Sequence, residues 1–245
     1  MRAVAVIAIL SGITAQAQSF EVASIRANHS GERIQLFNLA RGGRFTTTNC
    51  SLRILIPYAY DVFQFQLSGA PDWVTSDKYD MAAKADGDPL PDEMRVLVRR
   101  LLEDRFQLKY HWETKESAGY NLVVSKPGKL REAAPGDCPG AFPDAPCGAL
   151  RNTPGHTQGN QLTAGQLAGS LSFFIQAFVL DKTNLTGQYD IELQWTPERV
   201  RMQSAEPAGP SVFTALQEQL GLKLEAAKGP VKVFVIDHIE RPSQN

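Results

Sequence analysis

The pattern of apolar and polar positions predicts strands first and a helix next. Apolar and polar residues alternate over residues 20–25, and residues 33–39 and 44–48 flank a turn at Gly42-Gly43. That arrangement is typical of a first strand followed by a β-hairpin. Apolar residues then recur at helical spacing and predict a first helix: Leu52, Leu55, Ile56 and Ala59.

The next stretch predicts a strand, a helix and two further strands. Residues 73–81 return to strand character. A second helix starts at Asp92 and ends near Arg105, with its apolar residues on one face. Residues 106–112 and 120–124 then have the composition of strands.

The same order of elements returns in the second half of the chain. A helix opens at Leu162 and continues to Phe178, a strand covers 189–195, a helix covers 212–220, and residues 222–224 and 231–236 are strands. The match extends to single residues. Leu102 aligns with Leu216 at a sequence offset of 114, and Tyr79-Asp80 aligns with Tyr189-Asp190 at an offset of 110. Self-similarity of this kind predicts an α+β fold of two related modules, each with two helices packed on a small mixed sheet. The alternative is that unrelated α+β segments commonly repeat amphipathic helices and hairpins.

The chain divides into four predicted segments. Residues 1–17 have a positive start, an apolar run and a small-x-small cleavage site, which indicates a secretory signal peptide. The first module covers 18–127, a Pro/Gly-rich linker covers 128–160, and the second module covers 161–245. The apolar run is shorter than the roughly 20 residues of a membrane span. We therefore expect an exported protein, periplasmic or secreted, with no membrane span in the mature chain.

Composition and charge limit the classes of partner that the chain is expected to bind. The 245 residues include 25 Lys+Arg and 26 Asp+Glu, and 43% are hydrophobic, which is typical of a globular protein and excludes a disordered or fibrous chain. Nucleic acid and anionic lipid surfaces require clustered Lys and Arg. The nearly neutral chain is therefore not expected to bind nucleic acid.

The three cysteines fit an oxidising compartment. Cys138 and Cys147 lie in the Pro/Gly-rich stretch, where a disulfide would close a small loop. Two free thiols, or half of a metal site with His156, are the alternatives that this spacing leaves open. Cys50 is expected to be a small buried apolar residue.

Candidate catalytic residues are few. The chain lacks the common motifs of zinc peptidases, serine hydrolases, phosphate-binding loops and dinucleotide folds. A strand would place His111 and Glu113 on one face, where the carboxylate could orient the imidazole. Asp86, Asp88 and Glu93 could hold a hard cation, but we favour an acidic turn before a helix, which the helix dipole stabilises. We expect no cofactor, no metal and no assigned catalytic residue.

Six aromatic and acidic residues are the candidate ligand-binding set: Trp73, Tyr79, Asp80, Tyr189, Asp190 and Trp195. Each Asp of the repeated Tyr-Asp pair could accept a hydrogen bond from a ligand in a symmetry-related groove. Alternatively, each Tyr packs in a strand while its Asp orders the preceding turn. The two Trp residues could form an aromatic platform for a sugar or peptide, or belong to the core.

Several segments resemble an uncharacterised, soil-associated family of exported bacterial proteins. They are FEVASIR at 20–26, RFTTTN at 44–49, SLRILIPYAY at 51–60, GAPDW at 69–73, DKYD at 77–80, LLEDRFQLK at 101–109, DKTNLTGQYD at 181–190, FTALQEQLGLKL at 213–224 and VIDHIERPS at 235–243. The resemblance implies a domain of unknown function that is sometimes fused to membrane metallopeptidase-like sensors. It supports export and the fold, and it supplies no catalytic residue.

Residues 185–236 also resemble the short N-terminal domains of secretins and TonB-dependent receptors, which are periplasmic docking modules. The sequence therefore favours a non-catalytic module of the cell envelope that binds a protein or peptide, for instance by adding a strand to an open sheet edge. A secreted hydrolase that uses His111 and Glu113 is one alternative. A glycan-binding or small-molecule-binding protein that uses Trp73 and Trp195 is the other.

Overall fold

The fold is α+β, as the sequence predicts. The computed structural model describes residues 19–32, 34–40, 42–134, 147–203 and 209–242. The strands are β1 Val22–Asn28, β2 Leu36–Ala40, β3 Arg44–Cys50, β4 Leu67–Ser68, β5 Lys78–Lys84, β6 Lys109–Val124, β7 Arg131–Glu132, β8 Leu150–Thr153, β9 His156–Leu162, β10 Phe178–Asp181, β11 Tyr189–Gln194 and β12 Leu222–His238. The helices are α1 Leu52–Tyr60, α2 Trp73–Ser76, α3 Pro91–Phe106, α4 Ala164–Ile175, α5 Glu198–Gln203 and α6 Val212–Ala215, which a π-helical turn, Leu216–Leu220, continues.

These elements form two compact units. Unit 1 comprises the described residues up to 61, residues 70–110 and those from 236 onwards. Unit 2 comprises residues 62–69 and 111–235. In the described part of the chain, no helix is both long and apolar enough to cross a membrane.

Unit 1 has a four-stranded sheet in the order β1-β5-β3-β2, and each neighbouring pair is antiparallel. Apolar side chains alternate along β5, so that Tyr79, Met81 and Ala83 are buried. The helix α3 begins at Pro91, where Glu93 accepts the backbone N–H of Leu90 at 2.8 Å. Its buried face consists of Met94, Leu97, Val98, Leu101, Leu102 and Phe106.

Unit 2 has a sheet of the same plan, in the order β7-β11-β9-β8. Its helix α4 starts with a capping box, because the Gln166 backbone N–H donates to Thr163 Oγ1 at 3.2 Å and Gln166 Oε1 accepts the Thr163 N–H at 2.8 Å. The core includes Leu167, Leu171, Tyr189, Ile191, Leu193, Trp195, Leu216, Leu220 and Leu222.

The two units share an element order and a sheet plan. Unit 1 strands β2, β3 and β5 occupy the sheet positions that β8, β9 and β11 occupy in unit 2. The helices α1 and α4 follow β3 and β9, and α3 and α6 follow β5 and β11. A third sheet has the order β10-β6-β12-β4, with β10 parallel to β6 and β4 parallel to β12.

Two sequence-based expectations differ from the observed fold. Residues 73–76 form the short helix α2 instead of a strand, because the Pro71 carbonyl accepts the Val74 N–H at 3.0 Å and starts a turn. The described part of the expected linker, 128–160, contains β7, β8 and part of β9, which belong to the sheet of β11. Pairing stabilises these polar segments as strands, β7 and β9 with β11 and β8 with β9, although their composition favours a loop.

The compact units divide the chain at other points than the expected modules, whose bounds stay a prediction. Residues 236–242, expected in the second module, belong to unit 1, and residues 111–127, expected in the first, belong to unit 2. The reason is the length of β6 and β12, at 16 and 17 residues, since each strand continues from one unit into the other. The predicted signal peptide, residues 1–17, lies outside the described residues.

Candidate functional site

The first Tyr-Asp pair is a structural feature of the unit 1 sheet. Tyr79 is 3% exposed and packs edge-on against Phe106, with 5.4 Å between the ring centroids. Burial raises the pKa of the Tyr79 hydroxyl. The Asp80 carboxylate accepts the backbone N–H of Asn49 and the side-chain N–H of Asn28, both at 2.8 Å.

The second Tyr-Asp pair has an equivalent position in unit 2. Tyr189 is buried, and Asp190 accepts the backbone N–H of Gln161 at 3.3 Å. The guanidinium of Arg131 lies 3.5 Å from the other carboxylate oxygen of Asp190.

Both Asp residues hold a bulge in the neighbouring strand. Asn49 and Gln161 have left-handed φ values of 53° and 54°, at points where the register of β3 and of β9 shifts. A bulge leaves a backbone N–H outside the regular ladder, and the carboxylate provides its acceptor. The two Tyr side chains therefore pack in their strands, as the alternative to ligand binding predicts. Each Asp, however, orders a neighbouring strand and not the preceding turn.

Asp190 also lines an open polar cleft of unit 2. The cleft has a volume of about 410 Å³. Its polar lining comes from Lys129, Arg131, Gln158, Asn160, Asp190, Glu192 and Gln219. Several of these groups are already paired, since Lys129 donates to the Glu218 carbonyl at 2.6 Å and Gln219 bonds to the backbone of Gln194.

Trp73 lies in unit 1 beside an ion pair. The guanidinium of Arg241 lies 5.1 Å from the centroid of the Trp73 ring, and its Nε donates to Asp77 at 2.8 Å. The hydrogen bond from Arg241 holds the pKa of Asp77 below its ordinary value. A pocket of about 320 Å³ is lined by Asp77, Tyr79 and Arg241, together with residues at the end of β1. One face of the indole is thus covered by a cation, which reduces the platform that a sugar could use.

Trp195 lies in a groove of unit 2 with a volume of about 370 Å³. Four aromatic residues line it: Tyr120, Phe174, Trp195 and Phe213. The rings meet edge-on, with 4.9 Å between the centroids of Phe174 and Trp195 and 5.4 Å between those of Tyr120 and Phe213. Pro154, Pro197, Ile175 and Val212 add apolar surface, and Thr196, Glu198 and Ser211 add polar atoms. We call this feature the aromatic groove.

The aromatic groove is buried at its base and open at its margin. Trp195 is 9% exposed, whereas Phe213 is 37% exposed. The helix α5, which begins at the groove residue Glu198, exposes Val200 and Met202. Mostly apolar pockets with a few polar groups are the usual form of ligand sites.

His111 and Glu113 share one face of β6, as predicted. Their Nε2 and Oε1 atoms are 3.1 Å apart, and Lys115 Nζ lies 2.7 Å from the other oxygen of Glu113. The bonds from Lys115 and His111 hold the pKa of Glu113 below its ordinary value. A carboxylate bonded to an imidazole and to a lysine ammonium group on an exposed strand is a surface polar cluster.

The acidic turn at 86–93 has structural bonds. Asp88 accepts the backbone N–H of Gly42 at 2.9 Å, and Glu93 accepts that of Leu90. Among the residues that the structure describes, no three His, Cys, Asp or Glu side chains lie close enough together to hold a metal ion.

The comparison with protein families identifies the chain's relatives. Residues 53–239 match the family described as "Protein of unknown function (DUF3738)". The chain belongs to this family. No curated protein and no solved structure matches it. The DUF3738 match covers most of the segments that carry the resemblance, and it includes every residue of the aromatic groove.

Most of the aromatic groove was not predicted from the sequence. Of its four aromatic residues only Trp195 was a candidate; Tyr120, Phe174 and Phe213 were assigned to ordinary strands and helices. Adjacent Phe residues at 173–174, at the end of a helix whose buried face includes neither of them, are a signal that could have been used. Arg241 was also missed, because it lies far in sequence from its partners Trp73 and Asp77.

The cysteine expectations have different outcomes. Cys138 lies outside the described residues, so the Cys138–Cys147 disulfide stays a prediction. Cys50 is a free cysteine, 1% exposed, as expected for a small buried residue. Burial raises the pKa of its thiol to about 11.

Proposed function

We propose that this DUF3738 chain is an exported, non-catalytic protein of the cell envelope that binds an apolar segment of a peptide or protein in its aromatic groove. The observation that carries the proposal is the convergence of Tyr120, Phe174, Trp195 and Phe213 on one open groove. Grooves lined with aromatic rings bind extended proline-rich peptides, whose backbone loses little entropy on binding.

The geometry favours this function over the two alternatives. Trp195 is 9% exposed, so it offers little open ring surface on which a sugar could stack. His111 is on an exposed strand and bonds to Glu113, which itself bonds to Lys115. A hydrolase would instead need a reactive group that faces a pocket.

Export and duplication are also parts of the proposal. Export rests on the signal-peptide pattern of residues 1–17, and the envelope setting on the resemblance to exported bacterial proteins. Duplication is supported by matching sheet plans and by the matching bulges at Asn49 and Gln161. Under this proposal the two units are copies of one ancestral module.

Tryptophan fluorescence tests the proposed binding. The chain has three Trp residues, and a variant with Trp73→Phe and Trp112→Phe retains Trp195 as its one reporter. We expect a peptide of alternating proline and leucine to shift the emission of Trp195 saturably, and the same peptide with serine for leucine to leave it unchanged.

A matched pair of variants locates the binding. Phe213→Arg should weaken affinity at least about tenfold, because a charge replaces a central aromatic contact. Phe173→Arg is the control, since Phe173 is 52% exposed and packs against Phe174 without lining the groove. Equal losses in both variants, or binding of a fatty acid but of no peptide, would contradict peptide binding in the groove.

A further inference from the structure

A second surface with a defined partner chemistry lies at the edge of unit 1. The strand β2 pairs with β3 on one side and is the outer strand of its sheet. In the described residues no strand pairs with its other side. An outer strand presents backbone N–H and C=O groups that a further strand can use.

The strand β2 is anchored but exposes apolar side chains. Phe37 packs against Phe45 and Tyr58, at centroid distances of 5.5 Å and 4.5 Å. The segment before it is held by Asn49, whose side-chain N–H donates to the carbonyls of Glu32 and Ile34. Three apolar side chains along this edge are nevertheless exposed: Ile34 at 67%, Leu36 at 56% and Leu39 at 41%.

The other outer strands of the two antiparallel sheets are protected by charge. Arg26 lies in β1, Arg131 in β7 and Arg151 in β8. The strand β2, Leu36–Ala40, contains no charged residue and no proline. Charge and proline are the usual means by which an outer strand avoids pairing, so β2 is the strand that is left available.

The end of β2 lies beside two cationic side chains. Ala40 is in register with Arg44, which is exposed and is in register with Lys84. Two cations directly opposite each other repel. The Asp88 carboxylate, which accepts the Gly42 N–H, supplies one negative charge nearby, and residues 33–60 contain four Arg and neither Asp nor Glu. A partner with acidic residues at this end would relieve the repulsion.

We propose that the free edge of β2 receives an extended segment of another protein, which adds a strand to the sheet of unit 1. The added segment has alternating apolar residues beside Leu36 and acidic residues beside Arg44. Backbone hydrogen bonds contribute affinity, and the apolar and acidic side chains contribute specificity. A second copy of this chain is not the partner, because its β2 segment brings no carboxylate to Arg44 and Lys84.

The probe is a fluorescently labelled peptide with acidic residues at one end followed by alternating valine and threonine, prepared in both chain directions. Anisotropy with the full chain should show saturable binding for at least one direction, and the affinity should fall as salt is added. Control peptides carry lysine in place of the acidic residues, or one proline in the middle of the strand. Both controls should bind at least about tenfold more weakly, from charge repulsion or the lost N–H donor.

Variants of the chain identify where the peptide binds. Arg44→Glu and Leu36→Lys should each weaken binding at least about tenfold, whereas Arg53→Glu, on the exposed face of α1, should leave it unchanged. Hydrogen exchange should show new protection at residues 36–40, and Phe213→Arg should have no effect on this peptide. Equal binding of the lysine peptide, no protection at 36–40, or self-association of the chain through β2 would each overturn the proposal.

Discussion

Ala85 and Trp195 occupy matching positions in the two units, and only Trp195 lines a groove. Each follows its buried Tyr by six residues, and each donates its backbone N–H to a glycine carbonyl at 2.9 Å, Gly43 for Ala85 and Gly155 for Trp195. The backbones are therefore held alike. The side chain differs between a methyl group and an indole.

A second pair of matching positions also carries an aromatic side chain in unit 2 only. Three residues before the buried Leu102 lies Arg99, and three residues before the buried Leu216 lies Phe213. Arg99 donates to the Ala59 carbonyl and lies over the ring of Tyr60, with 5.3 Å to its centroid. Phe213 lines the aromatic groove instead. Different side chains at two pairs of matching positions thus give a polar contact in unit 1 and a groove in unit 2.

The largest expected loss of stability is at the buried core of each unit. Leu102→Ala and Leu216→Ala should each lower the free energy of unfolding by ~2–5 kcal/mol, because both side chains are fully buried and leave cavities. Urea unfolding measures the change, and Leu90→Ala, at a position 67% exposed, is the control. Near-neutral effects at both core positions would contradict the assignment of these two leucines to the buried faces of their helices.

A smaller loss of unfolding free energy is expected at the two bulges, and its size should differ between them. Asp80→Ala leaves the Asn49 N–H without its acceptor and should cost ~1–3 kcal/mol. Asp190→Ala should cost less, because its bond to Gln161 is longer, at 3.3 Å, and water in the open cleft can replace it. The control is Asp104→Ala, at an exposed position of α3. A larger loss of unfolding free energy for Asp190→Ala than for Asp80→Ala would reverse this ranking.

The smallest effect is expected at the ion pair of unit 1. Since Arg241 lowers the pKa of Asp77, the pair stabilises the folded state at neutral pH, and this contribution is lost as the pH falls below the ordinary aspartate value of about 3.9. Arg241→Gln should therefore cost less than ~1 kcal/mol at pH 7, and the cost should shrink as the pH falls from the ordinary aspartate value through the lowered pKa of Asp77. Stability measured against pH should show the difference between the two proteins decrease on acidification, and a difference that does not change with pH would assign it to packing on Trp73.

The sequence predicts the parts of the fold that depend on local pattern. The helix α3 and the strands of Tyr79 and Tyr189 were predicted, because their apolar positions repeat with the period of the element. The strands β8 and β9 were missed, since these polar segments become strands through pairing, β9 with β11 and β8 with β9. The aromatic groove could not be predicted, because its lining comes from five separate stretches between residues 120 and 213.

Hydrogen exchange of the full chain, with and without the proline-leucine peptide, tests the central claim most directly. Peptide in the groove should slow exchange at residues 174–175, 195–196 and 211–213, and leave the matching unit 1 residues 85 and 99 unchanged. Protection confined to unit 1, or unchanged exchange throughout the groove at saturating peptide, would contradict the assignment of the binding site to unit 2.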